Sequence, residues 1–293
     1  MPPRRSWLRR LGFLALLGFG LVGVIAVAER FAGDGLASGP SVAVVELSGV
    51  ISDGDTFCQS LDDLAKDARV GAVVVRIDSP GGAVAPSQEI YDEIERLRSS
   101  KPVIASLGNV AASGGYYVAA AANTIVADPG TLTGSIGVIM EFRQLQGLAD
   151  KLGVSENVIK SGVFKDIGHP LRPMTDPEKK LLQGMVNDVY EQFVSAVARG
   201  RKMEPDRVRA LADGRVYSGA QAKAAGLVDE LGGLNSAIRI AWDRAGGTGE
   251  PRVRRVKAAW HPWWLDLLGS VTQPAGAGLG GGLLFLYGGA TPQ

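Results

Sequence analysis

The chain has few of the residues that most often carry chemistry: one cysteine and two histidines in 293 residues. A lone Cys58 excludes an internal disulfide and a cysteine-based zinc cluster. Of the histidines, His169 reads as structural or exposed, and His261 falls in a tail of different composition. A net charge of +1 gives no electrostatic support for a general nucleic-acid role. No Walker-type GK[ST] motif is present to cradle a nucleotide phosphate. Charged residues are only 21%, against 46% hydrophobic, which argues against disorder and for a full core. Glycine, by contrast, is abundant, with 40 residues clustered at turns and near the C-terminus.

Arg4, Arg5, Arg9 and Arg10 precede Leu11–Ala28, eighteen residues without a charge. As a helix this run spans about 27 Å, enough for a bilayer core. Positive charge on its N-terminal side predicts that end in the cytoplasm and the rest of the chain outside. Ala26-Val27-Ala28 also has the form of a signal-peptide cleavage site. The length of the apolar run favours a retained, single-pass anchor in the cell membrane, and either reading makes the bulk of the chain extracytoplasmic.

After a linker at 29–40, strands are expected at Val42–Leu47, Ala72–Asp78, Val103–Leu107 and Thr124–Ala127, with another near Asn157–Lys160. Helices are expected at Thr56–Asp67, Ser87–Arg98, Phe142–Leu152, Pro205–Ala212 and Ser218–Ala225, and over a long stretch from Thr175 to about Lys202. Thr56/Gln59, Thr175/Glu178 and Ser218/Gln221 have capping-box spacing. Alternating strands and helices with glycine-rich strand ends describe an α/β domain. The composition assigns 1–28 to the cytoplasmic end and anchor, 41–250 to the catalytic domain and 251–293 to a tail of unassigned role. That tail carries Trp260, Trp263 and Trp264, which suit a membrane interface, packing on the domain, or assembly.

Ser113 is followed by two glycines and an Ala-rich run that reads as a buried helix. This puts a hydroxyl at a helix start beside bare backbone amides, although small residues there equally permit close packing. Asp78-Ser-Pro-Gly81-Gly82 ends a buried strand; it reads as a tight turn or as an oxyanion hole, since glycine amides can face a carbonyl oxygen unobstructed. No histidine lies between Ser113 and Lys165, so a lysine is the better base if Ser113 is a nucleophile. Such a lysine must work neutral, from an ordinary pKa of about 10.4 toward about 7–8, and alone Lys165 reads as a solvated charge. Ser135 alone reads as a turn serine.

The motifs DSPGG, ASGGYYVAAAAN, TGSIGVI, SG-x-x-KD followed by P-x-R-x-MT, and VYSGAQAKAAGLVDELGG are specific together. Over Ser41 to about Gly233 the chain resembles the bacterial signal peptide peptidase A family in its short, single-domain form. Those proteins are membrane-anchored Ser-Lys peptidases of the Clp-protease/crotonase fold superfamily. The resemblance implies a spiral of βαβ units, with Ser113 as nucleophile and Lys165 as general base. It further implies that Ser135 orients the lysine amine, and that Gly81 or Gly82 with Gly114 donates to the oxyanion. No cofactor and no metal are implied. The implied substrates are hydrophobic peptides such as remnant signal peptides, and the implied assembly is a homo-oligomer in which Lys165 of one copy completes the site at Ser113 of the next. The competing readings are a crotonase-like acyl-CoA enzyme and an inactive membrane scaffold of the same fold.

Overall fold

Runs of β-branched residues build the centre of a mixed α/β domain in the computed structural model, which describes residues 40–256 and the backbone of 284–286. The expected anchor at Leu11–Ala28, the three tail tryptophans and His261 lie outside the described residues. Strand β1 (Ser41–Ser48) runs parallel to β2 (Val70–Ser79), and a short β3 (Gly81–Ala83) follows. β4 (Val103–Ala112) lies parallel to β2; its first half pairs with β5 (Thr124–Ala127) and its last residues with β6 (Leu132–Gly134). β7 (Val216–Ser218) is antiparallel to β6, β8 (Glu230–Leu231) extends β5, and β9 (Val253–Val256) runs parallel to β1 at the outer edge. The sheet order is β7-β6-β4-β2-β1-β9, with β5 and β8 branching from β4.

Helices cover both faces. α1 (Asp55–Lys66), α2 (Val84–Arg98), α3 (Gly114–Ala120), α4 (Gln146–Leu152), α5 (Asp176–Arg201), α6 (Pro205–Leu211), α7 (Gly219–Ala225) and α8 (Leu234–Arg244) follow in chain order. Ala43, Val45, Val73 and Val75 join the main core, whereas Val42, Val44, Ala72 and Val74 meet Ala237, Ile238, Ala241 and Trp242 of α8. Burial on both faces is why β1 and β2 read as unbroken apolar runs rather than alternating ones. Each fully buried Val, Ile or Leu contributes about 1.5–3 kcal/mol.

The kink in β4 positions the site. Pairing with β2 shifts between Ile77↔Leu107 and Ser79↔Ala111, and Asp78 Oδ1 accepts from the Val110 amide at 3.1 Å. Gly108 allows this approach, since a Cβ there would lie 2.7 Å from the Asp78 Cγ. β4 therefore runs five residues past the expected Leu107 and delivers Ser113 directly to α3, every residue of which is buried. Tyr116 of α3 donates to the Leu227 carbonyl at 2.8 Å, and Tyr117 lies between the rings of Tyr91 and Phe193 at 5.0 and 4.9 Å.

Several local expectations change. α1 starts at Asp55, one residue before Thr56, and its first amide is capped by Asp53 Oδ1 at 2.8 Å, so the Thr56/Gln59 box does not form. The strand expected near Asn157–Lys160 is absent; that segment has no regular structure, and Lys160 turns instead to the Val163 carbonyl and to Asp166. The Thr175/Glu178 and Ser218/Gln221 boxes both form and open α5 and α7. Each such cap contributes about 1 kcal/mol. Val253–Val256 lies beyond the expected domain limit at 250 and supplies the edge strand beside β1.

Candidate active site

Ser113 is the N-cap of α3 and sits at φ 53°, ψ −117°. A non-glycine residue rarely adopts this backbone, and holding it there costs about 1–3 kcal/mol. Its neighbours over-determine the conformation: the Ser113 amide donates to the Gly134 carbonyl at 2.8 Å, and its carbonyl accepts from Tyr117 at 2.8 Å. The residue is only 1% exposed.

Beside it runs β3. The Gly81 amide donates to Ser79 Oγ at 3.1 Å, while the Gly81 carbonyl and the Ala83 amide both bond Ile51, at 2.9 and 2.7 Å. Because successive peptide groups of a strand point to opposite edges, the Gly82 amide and carbonyl face away from Ile51. Glycine is required at 82, where a Cβ would lie 2.0 Å from the Ile51 carbonyl oxygen. At Gly114 a Cβ would come within 3.2 Å of the Gly82 nitrogen and 2.7 Å of Ser87 Oγ. Gly82 and Gly114 thus meet backbone to backbone next to Ser113.

The free edge of β3 takes an extended chain. β10 (Leu284–Leu286) lies antiparallel on it, with Leu284 opposite Ala83, Phe285 opposite Gly82 and Leu286 opposite Gly81. Ser135, also at positive φ (50°), follows the Gly134 that receives the Ser113 amide, and its own amide donates to the Arg215 carbonyl at 2.8 Å. It lines a cleft of about 540 Å³ with Val138, Ile139, Val186 and Tyr190. Ser113, Ser135, Gly81, Gly82 and Gly114 are therefore gathered at one end of β3, β4 and β6.

Lys165, unlike the buried Ser113 and Ser135, is exposed. It lies in an exposed turn, its amide bonded to the Gly162 carbonyl at 3.1 Å. Among the described residues its ammonium makes no hydrogen bond or ion pair. The next residue, Asp166, is fully engaged: its carboxylate accepts from Lys160 and, at 2.9 Å, from Arg172 Nε. Arg172 also donates to the Asp166 carbonyl at 3.0 Å and pairs with Glu178, whose carboxylate accepts from the Thr175 amide at 2.8 Å. The hydrogen bonds from Arg172 and Lys160 hold the Asp166 carboxyl well below the ordinary range, and those from Arg172 and Thr175 bring Glu178 down to about 2.

His169 is committed elsewhere: Nδ1 accepts from the Leu171 amide at 3.2 Å and Nε2 lies 3.2 Å from Glu156. The Cys58 thiol is pushed up to about 11, by burial and then by nearby carboxylates, so it is a poor nucleophile. Sequence reasoning missed two hydroxyls: Ser79, which fixes the Gly81 amide, and Ser87 under Gly114, which donates to the Ala83 carbonyl at 2.8 Å. Only the position of Ser79 inside DSPGG hinted at its part.

The family model for Peptidase family S49 matches residues 95–246, which hold Ser113, Ser135 and Lys165. The model for Clp protease matches residues 44–128, which hold Gly81, Gly82, Ser113 and Gly114. The chain is 44% identical over 207 residues to the protease-named protein slr0021 of Synechocystis sp., covering 70% of this chain and 74% of that protein. It is 39% identical over 192 residues to Serine protease SPPA, chloroplastic, of Arabidopsis thaliana, covering 65% of this chain and 28% of that one. With Protease 4 of Salmonella typhi the identity is 36% over 219 residues, 71% of this chain and 35% of the relative.

Proposed function

The chain belongs to peptidase family S49, the signal peptide peptidase A family, and is a serine peptidase; we propose that Ser113 is its nucleophile and Lys165 its general base. The observation that carries this reading is the strained backbone at Ser113 beside the meeting point of Gly82 and Gly114. The strained turn fixes the backbone that carries the hydroxyl, and the neighbouring Gly82 and Gly114 amides stabilise the oxyanion that forms. Since Ser79 engages the Gly81 amide, Gly82 is the better oxyanion donor to pair with Gly114.

The substrate lies as an extended strand on β3, along the edge that β10 uses. Ser113 Oγ attacks the scissile carbonyl while the neutral Lys165 amine takes its proton. The tetrahedral oxyanion rests on the Gly82 and Gly114 amides. Lys165 returns the proton to the leaving amine, and the acyl-enzyme is then hydrolysed by water that Lys165 activates. Ser135 holds the amine in line. The cleft beside Ser135 carries Val138, Ile139 and Val186 on its wall together with Asn187 and Asp213, and its apolar side chains suit hydrophobic peptides, such as signal-peptide remnants left in a membrane. The uncharged run at Leu11–Ala28 supports a membrane anchor with the catalytic domain on the extracytoplasmic side.

The base comes from a second copy of the chain. The exposed Lys165 turn is flanked by apolar side chains that face solvent: Val163 is 74% exposed, Ile159 100% and Leu152 68%. Exposed apolar surface of this kind marks an association site, and a head-to-tail contact would bring each Lys165 to the Ser113 of a neighbour. Mixing inactive Ser113→Ala and Lys165→Ala chains tests this. Co-assembly restores about one site in four, whereas proven co-assembly with no gain over either variant places both residues within one copy and rejects the shared site.

A further inference from the structure

A carboxylate stands next in sequence to the lysine that must work as a neutral base, and it does not pair with that lysine. Lys165 and Asp166 share one turn, yet the Asp166 side chain is only 9% exposed and points into a cage. One oxygen accepts from Lys160, and the other from Arg172 Nε at 2.9 Å. Arg172 is itself fixed: it holds the Asp166 carbonyl at 3.0 Å and pairs with Glu178, 3% exposed at the start of α5. The Thr175 amide and hydroxyl hold Glu178 at 2.8 and 2.9 Å, so the cage is anchored to the capping box of a 26-residue helix.

We infer that Arg172 is a positioning residue for the Lys165 amine: with Lys160 it keeps the Asp166 carboxylate turned away, so that Lys165 is left without a counter-ion and free to lose its proton. This rests on the reading of Lys165 as general base. A carboxylate within about 4–6 Å of an amine favours the charged form, and a protonated Lys165 takes no proton from Ser113. The cage therefore does two things, bracing the turn against α5 and neutralising the one anion that sequence places beside the base. Few other groups face it. Asp150 of α4 and Glu156 line the cleft beyond Asp166, and Glu156 is paired with His169 at 3.2 Å. On the far side of Arg172, Arg143 and Lys179 border a separate cleft, where Lys179 is paired with Asp176 at 3.4 Å.

The test is the pH dependence of Ser113 inactivation by a fluorophosphonate on the full chain in detergent, from about pH 6 to about pH 10. Arg172→Gln frees half of the cage, and the alkaline rise should move up by about 0.5–1 pH unit. Arg172→Lys keeps the charge and should hold the rise near its original place. Adding Asp166→Asn to Arg172→Gln removes the stray carboxylate and should bring the rise back even if the rate stays low. A merely structural Arg172 lowers the rate at every pH without moving the rise. An unmoved rise in Arg172→Gln, or a shift that persists with Asp166→Asn, overturns the inference. If Arg172→Gln does not fold, Lys160→Met, which leaves the Arg172–Glu178 pair intact, decides instead: a smaller upward shift supports the cage and none rejects it. Lys165→Ala separates the two readings. Full labelling in that variant rejects Lys165 as the base, whereas lost labelling together with an unmoved rise in Arg172→Gln rejects only the cage.

Discussion

Replacing Ser113 by glycine should stabilise the protein relative to replacing it by alanine, and neither variant should be active. At ordinary positions the order is reversed, because glycine loses more chain entropy on folding and costs about 0.5–1 kcal/mol against alanine. Ser113 is not ordinary: φ 53°, ψ −117° is the mirror image of an extended conformation, open to glycine and strained for any residue with a Cβ. Strain of about 1–3 kcal/mol is relieved in the glycine variant only. Set against the entropy cost, Ser113→Gly should exceed Ser113→Ala by up to about 2.5 kcal/mol, or by a few degrees in Tm. The pair shares the loss of the hydroxyl, so the difference isolates the backbone. Urea unfolding of both variants, followed by circular dichroism, reads it directly. If the alanine variant is the more stable by the usual margin, Ser113 is not strained and the argument from its backbone fails.

Other consequences follow from the same geometry. Gly82→Ala drives a Cβ to 2.0 Å from the Ile51 carbonyl oxygen and should lower both activity and stability, the loss in Tm exceeding that of Gly130→Ala, where a Cβ meets open space. Truncation after Val256 removes β10 from the β3 edge; peptide substrate should then bind with a lower KM at unchanged kcat, and an unchanged KM would mean that substrate uses another edge. The Glu178 carboxyl is lowered to about 2 in the folded chain, from an ordinary value of 4.5. Its contribution is therefore complete above about pH 4.5 and lost as pH falls toward 2. Acid unfolding of Glu178→Gln should accordingly be less steep than that of the wild type over that window, and equal slopes would contradict the pairing.

Much of the site was legible because its signals are local. Glycines that must accommodate close backbone contact, as at Gly82 and Gly114, leave a mark in sequence, and so does a serine that opens a small-residue helix. The capping boxes at Thr175 and Ser218 form because side chain and amide are three residues apart and need no distant partner. Thr56 has the same spacing but no box, since Asp53 reaches the first amide earlier. What sequence hid was long-range. The kink that extends β4 to Ala112 depends on Asp78 of another strand, and β9 joins β1 from about 200 residues away in a stretch that reads as tail. The cage around Asp166 was equally hidden, for nothing in K-D tells which of two adjacent charges will be neutralised and which left alone. Lys165 was singled out through the family resemblance, and its place in an exposed turn could not be read from composition.

The central claim is that Ser113 attacks because Lys165 removes its proton. The most direct measurement treats the full chain with a fluorophosphonate and maps the modified residue by mass spectrometry, with Lys165→Ala run in parallel. The account predicts a single adduct at Ser113, forming faster as pH rises and lost or strongly slowed in the Lys165 variant. An adduct at another serine, or undiminished labelling of Ser113 without Lys165, would contradict it.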